Sequence, residues 1–155
     1  SQGHKQLAIA VASMWKQNLG VRTTLRNQEW KVYLQTRANK TETEIYRSGW
    51  IGDYNDAYGF LQLLISTNPQ NDSGYANTEF DHLLERAAKE IDMSQRAIYM
   101  QQAEALMLQD MPVIPIYYYV SKHLIKPWVK GFTPNIMDHV YSKDLWIDTP
   151  AADAG

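Results

Sequence analysis

The spacing of apolar residues divides the chain into helical and extended stretches. Leu7, Val11, Met14 or Trp15, and Leu19 recur at helical spacing and predict an amphipathic helix over 4–19, stopped by Gly20. Val21 to Leu25 alternates apolar with polar residues and has β-branched members inside, which predicts a strand. Helix, glycine and strand in that order form an α/β unit. Helical character returns over 28–37 with Trp30, Val32, Tyr33 and Leu34. A polar loop over 39–43 then leads to a short strand over 44–50. A short apolar helix is predicted over 57–65, followed by a loop over 66–77 rich in Asn, Ser, Pro and Gly.

Two more helices follow. Phe80, Leu83, Leu84, Ala87 and Ile91 mark the first, capped near Asn77 or Thr78. Asp92 and Gln95 resemble a capping box that opens the second, whose core face is Tyr99, Ala103 and Leu106 and which Pro112 ends. Val113 to Val120 predicts the strongest strand of the chain, at an edge or a bulge because Pro115 lacks an N–H. Beyond it, 121–127, 128–132 and 140–147 read as short β or irregular segments. They hold too little periodic apolar sequence for a core of their own. Residues 149–155 are small and polar, a frayed end.

Composition narrows the classes. At 155 residues and 45% apolar, the chain can build one domain, or one large domain and part of another. A net charge of −2 with scattered Lys and Arg argues against a nucleic-acid partner, which would need a basic patch. The absence of cysteine excludes disulfides, thiolate catalysis and thiolate zinc sites. No apolar run reaches the roughly 18 residues of a membrane span. The chain opens Ser-Gln-Gly without Met, and we read it as a piece of something longer, with 1–3 and 149–155 as terminal extensions.

Catalytic constellations are not evident. His4, His82, His123 and His139 lie far apart in sequence without metal-ligand spacing, and there is no GxSxG, phosphate loop or GxGxxG. A small hydrolase using an Asp and a His would need a histidine beside a nucleophile, and no nucleophile motif supports one. The expectation is a non-enzyme with no cofactor and no metal. Asp53 and Asp56 stand three apart, and Asp56 is read as a turn former.

Arg47-Ser-Gly-Trp-Ile-Gly-Asp-Tyr-Asn55 gathers Arg, Trp, Asp and Tyr around two glycines at the end of a strand. It reads either as a strand with a Gly-rich turn and one exposed aromatic, or as a surface for capturing a peptide. In the second reading Gly49 and Gly52 let another backbone approach, and the strand edge offers N–H and C=O groups. Asp53 can then pair with an α-ammonium, Arg47 can fork onto a carboxylate, and Trp50 supplies an amphipathic wall.

The run from His4 to Ser13, with Trp15 and Asn18-Leu-Gly20, resembles a helix of the periplasmic oligopeptide-binding proteins. So does Asn27-Gln-Glu-Trp30. Gly49-Trp50 with Asp53-Tyr-Asn55 is similar to that family's ligand strand, and Pro115-Ile-Tyr-Tyr-Tyr-Val120 with Lys126-Pro-Trp-Val129 to its late strand and crossover. The matches run in order over about 4 to 147, over the C-terminal portion of the family 5 solute-binding receptors of ABC importers. The resemblance implies an α/β fold: one lobe of a two-lobed periplasmic-binding-protein (class II, cluster C) fold, plus a short β-rich tail. Residues 4–119 would be the ligand-binding lobe, and 120–148 would return to a missing N-terminal lobe.

By the same resemblance, a short peptide would lie extended between the lobes and pass to an ABC permease of the inner membrane. Asp53 would meet the peptide α-amino group. Arg47, Arg37 and His4 would help meet its C-terminal carboxylate, and Trp30 and Trp50 would line side-chain pockets. Tyr119 would lie near the hinge and cleft. Gly49 and Ile51 belong to the same strand, with Ile51 replacing a smaller residue of the family's pattern. The implied location is periplasmic, or lipid-anchored outside the cytoplasmic membrane in a Gram-positive source. Two alternatives stay open: another cargo (murein tripeptide, a nickel complex or haem), and a lobe that binds nothing alone.

Overall fold

In the computed structural model, residues 2–135 and 137–148 are described, and the predicted frayed end over 149–155 lies outside them. The chain divides into two compact units, with the division between Tyr46 and Arg47.

The first unit holds α1 (Gln2–Leu19) and α2 (Trp30–Asn39). Gly20 takes φ 69°, the left-handed turn that ends α1 as its sequence position predicts, and the Val21 N–H bonds back to the Trp15 carbonyl. The predicted apolar face of α1 is only partly covered: Leu7, Val11 and Trp15 are half-buried, whereas Met14 and Leu19 are exposed. An amphipathic helix buries its stripe against a second layer, and no strand forms over 21–25 to supply one. The second helix starts two residues later than its apolar pattern suggests. Glu29 is the N-cap, extended at ψ 151°, and its carboxylate accepts the Lys31 and Val32 N–H groups. Lys40 closes the helix in the left-handed region, and the Tyr46 hydroxyl donates to the Thr41 carbonyl at 2.6 Å.

The core of the second unit is built by α4 (Thr78–Lys89) and α5 (Met93–Asp110) against α3 (Tyr58–Leu61) and the 3-10 turn Gln62–Leu64. The helical stripe of α4 is fully buried at Phe80, Leu83, Leu84 and Ala87. Ala103 and Met107 answer from α5, with Tyr99 and Leu106 partly buried, and Leu61 and Leu64 fill the remaining side. Burying Phe80 and Leu84, each 0% exposed, stabilises the fold by about 2–3 kcal/mol apiece. Asn77 caps α4 and Asp92 caps α5, each accepting two N–H groups from the first turn. Only half of the predicted capping box forms, because the Asp92 N–H goes to Glu90. The same Glu90 carboxylate takes the Ile91 N–H, so α4 stops at Lys89 and Ile91 is 92% exposed.

The loop before α4 is tied from both sides. The Asn71 amide donates to the carbonyls of Leu64, Ile65 and Tyr75, while its oxygen accepts from Ser73 and Gly74. The Tyr75 hydroxyl and the Asn77 amide both donate to Asp110 at 2.7 Å, which offsets a carboxylate placed at the unfavourable end of α5.

The described strands are short. β1 (Val129–Lys130) and β2 (Trp146–Ile147) pair antiparallel, Val129 opposite Ile147 and Lys130 opposite Trp146. Gly131 turns the chain at φ 81°, where a Cβ would stand 1.7 Å from the Asp144 carbonyl oxygen. The predicted strands over 21–25, 44–50 and 113–120 do not form. β propensity reflects packing on a pleated surface and becomes a strand only beside a partner. The exposed Tyr118 and Val120, 94% and 74%, match a segment without a neighbouring layer.

Candidate functional site

The run from Arg47 to Asn55 is irregular through residue 52 and bends over 53–55 toward α3, rather than forming the predicted strand. Trp50 is 38% exposed, Ile51 is 77% exposed, and the Asp53 side chain is open to solvent. Gly49 has only the Arg47 guanidinium nearby, at an ordinary 3.6 Å from where a Cβ would sit. Gly52 differs. A Cβ there would meet the Phe60 ring at 3.0 Å and the Tyr54 carbonyl at 3.2 Å. Its small size serves packing within this chain.

Asp56 does more than form a turn. It accepts the Tyr58 N–H at 2.7 Å, and its two carboxylate oxygens take both terminal nitrogens of Arg96 on α5. Both side chains are mostly removed from water, with 15% and 22% exposure for Arg96 and Asp56. The Arg96 hydrogen bonds hold the Asp56 carboxyl below the usual carboxylate range, against the opposing effect of burial. This fork fastens the end of the Arg47–Asn55 run to the helical core. No local pattern announces it, since the partners lie 40 residues apart.

The structure brings together two of the predicted residues of this unit. Arg47 donates from Nη2 to the Tyr119 hydroxyl at 2.9 Å, and its guanidinium lies 5.9 Å from the ring centroid. Tyr117, from the same Pro115–Val120 run, stands with its ring 5.3 Å from that of Tyr119. The hydrogen bond between the two phenols lowers the Tyr119 pKa and raises that of Tyr117. The alternation Tyr117-Tyr118-Tyr119 carried the available signal, since residues two apart share a face in extended chain.

In the first unit, Trp30 and Arg37 belong to one column on α2. Trp30 stacks on Tyr33 with centroids 5.6 Å apart, and the Arg37 guanidinium lies 5.7 Å from the Tyr33 ring centroid. The spacing of these residues along the helix puts them on adjacent turns of one face. Trp30 is 62% exposed, Arg37 is half-buried, and His4 is half-buried on α1. Tyr33, read from the sequence only as an apolar helix position, is the link between them.

A Ser, His and Asp do meet in the tail, but not as a nucleophile and base. The Ser121 hydroxyl donates to one oxygen of Asp138 and His123 Nε2 bonds to the other, at 2.6 and 2.7 Å. The serine proton is therefore directed to the carboxylate and not to the imidazole, which removes the geometry a hydrolase needs. Among the described residues, no three His, Asp or Glu side chains gather as a metal ion requires. One depression in the first unit is lined by Ala12, Ser13, Lys16, Arg22 and Thr23, and a small one in the second by residues including Phe132, His139 and Tyr141. None of the predicted site residues lines either.

With this arrangement described, comparison with known proteins gives the class. Residues 1–72 match the model of "Bacterial extracellular solute-binding proteins, family 5 Middle". The chain is 43% identical over 145 residues to the periplasmic oligopeptide-binding protein OppA of Salmonella typhimurium, covering 93% of this chain and 26% of that protein. It is 43% identical over 148 residues to the periplasmic murein peptide-binding protein MppA of Escherichia coli, covering 95% and 27%. The solved structure of Haemophilus influenzae OppA in complex with RPPGFSPFR is similar with a TM-score of 0.84 and 36% identity, over 96% of this chain and 29% of that one. The chain belongs to the family 5 extracellular solute-binding proteins and has part of their α/β fold. It spans about a quarter of the length of the curated relatives it matches.

Proposed function

We propose that the chain supplies one lobe of a periplasmic receptor that holds short peptides extended between two lobes and delivers them to an ABC permease. In this reading 4–119 form the ligand-binding lobe and 120–148 return to the other lobe. Asp53 takes the peptide ammonium. Arg47, Arg37 and His4 serve the carboxylate end, and Trp30 and Trp50 line side-chain pockets, with Gly49, Ile51 and Tyr119 beside the peptide.

The observation that carries the reading is the likeness to a solved OppA–peptide complex over 96% of this chain. The local chemistry is compatible with it: a solvent-facing carboxylate, an arginine fixed by a tyrosine, and half-exposed indoles are groups that meet the two charged ends and the side chains of a peptide. Binding, and not catalysis, is the role, in line with relatives that are named as binding proteins.

A whole receptor carrying this segment should bind tripeptides in calorimetry. Its Asp53→Ala variant should bind about 2–5 kcal/mol more weakly, as for truncation of one partner of a buried charge pair. Unchanged affinity in that variant removes Asp53 from the site. The likeness to MppA favours one second reading, a murein peptide as cargo. Such an acidic ligand carries negative charge beyond its terminal carboxylate and wants added cationic partners, so charge reversal at Arg37 and Arg47 should weaken its binding more than that of a tripeptide with neutral side chains.

A further inference from the structure

The turn that carries Asp53 is held at both of its ends. On one side Gly52 lies close to the Phe60 ring and the Tyr54 carbonyl, so that a Cβ there would push its neighbours aside by a few tenths of an ångström. On the other side Asp56 anchors the chain three times: its N–H bonds to the Tyr54 carbonyl at 2.9 Å, its Oδ1 accepts the Tyr58 N–H, and its carboxylate is forked by Arg96. Arg96 itself rides on the first turns of α5, further along which Ala103 and Met107 are locked in the core. Asp53 therefore stands between a glycine beside the Phe60 ring and a residue fixed to α5.

We infer that Arg96 is a positioning residue for ligand binding: through Asp56 it sets where the Asp53 carboxylate stands, and it tunes affinity without touching the ligand. The inference rests on the reading that Asp53 takes a peptide ammonium. A largely buried ion pair contributes to stability only where its geometry is good, and the same geometry fixes the backbone that carries it. This one is bidentate and also accepts a backbone N–H, which fixes direction as well as distance. Lysine carries the same charge but presents a single point donor, so it restores attraction without restoring the fork.

The test is a double-mutant cycle in the whole receptor, with trialanine as the probe, read by calorimetry well below the melting temperature of every variant. Arg96→Met should weaken binding about tenfold and Arg96→Lys by less, because retained charge gives partial rescue. In an Asp53→Ala background, Arg96→Met should change affinity by less than about twofold, since the two residues act through one contact. Equal losses in both backgrounds, or no loss in either, would overturn the inference. If Asp53→Ala alone leaves affinity unchanged, the ammonium reading falls and this inference with it, an outcome distinct from a failure of Arg96. Arg96→Lys keeps the ion pair and guards against a variant that does not fold.

Discussion

Arg47 and Tyr119 lie 72 residues apart in sequence, and the guanidinium of the first donates a 2.9 Å hydrogen bond to the phenol of the second. This contact joins the start of the Arg47–Asn55 run to the end of the apolar run over 113–120, although neither segment forms a strand. It also gives the arginine a fixed direction without removing it from solvent.

The paired phenols should titrate apart. Tyr119 is lowered first by its hydrogen bond with Tyr117 and then by the charge of Arg47, whereas Tyr117 is raised by the same hydrogen bond. Ultraviolet or NMR titration should find Tyr119 ionising below Tyr117, and Tyr117→Phe should return Tyr119 toward the ordinary tyrosine value. Coincident titration of both phenols would contradict the geometry.

Asp56 should govern the acid limb of stability. Its folded pKa lies below the unfolded one, so the stabilisation is present above the usual carboxylate range and is lost as pH falls through the lower folded value. Asp56→Ala should cost about 2–3 kcal/mol at neutral pH by leaving Arg96 without its fork. Asp56→Asn should flatten the acid limb, measured as urea midpoint against pH.

Tyr75 should govern part of the alkaline limb. Burial, and then the hydrogen bond to Asp110, push its phenol up to about 12. The unfolded phenol ionises near pH 10. A raised folded pKa means the stabilisation is complete below that value and is lost as pH rises toward about 12. Tyr75→Phe should lower stability by about 1 kcal/mol at neutral pH and remove this alkaline loss.

Asn71 offers a sharper test of the loop. Its amide nitrogen faces the carbonyls of Leu64, Ile65 and Tyr75, so Asn71→Asp keeps the shape but turns a donor into a repelled acceptor. The expected cost is about 2–3 kcal/mol in chemical denaturation, more than for a surface asparagine. A neutral result would mean the loop is held by other contacts.

Local signals made the helices legible. The stripe of α4 and the caps at Asn77 and Asp92 involve residues within a few positions of each other, and all appear where their spacing places them. Ile91 continues the same stripe yet falls outside the helix, because Glu90 captures two N–H groups that would otherwise continue it. The strands were not legible in the same way: Val113 to Val120 has the composition of a strand, but a ladder depends on a partner that local pattern does not specify. Of the candidate site, the grouping of Arg47, Trp50 and Asp53 is visible in the run itself. The Asp56–Arg96 fork and the Arg47–Tyr119 bond are not, since they join residues 40 and 72 positions apart.

The central claim, that this segment belongs to a peptide receptor, is tested most directly by mass spectrometry of ligands that co-purify with a whole receptor carrying it. The account predicts a mixture of short peptides with varied side chains, released on denaturation and depleted in the Asp53→Ala variant. Recovery of a single non-peptide cargo, equally abundant in that variant, would contradict it.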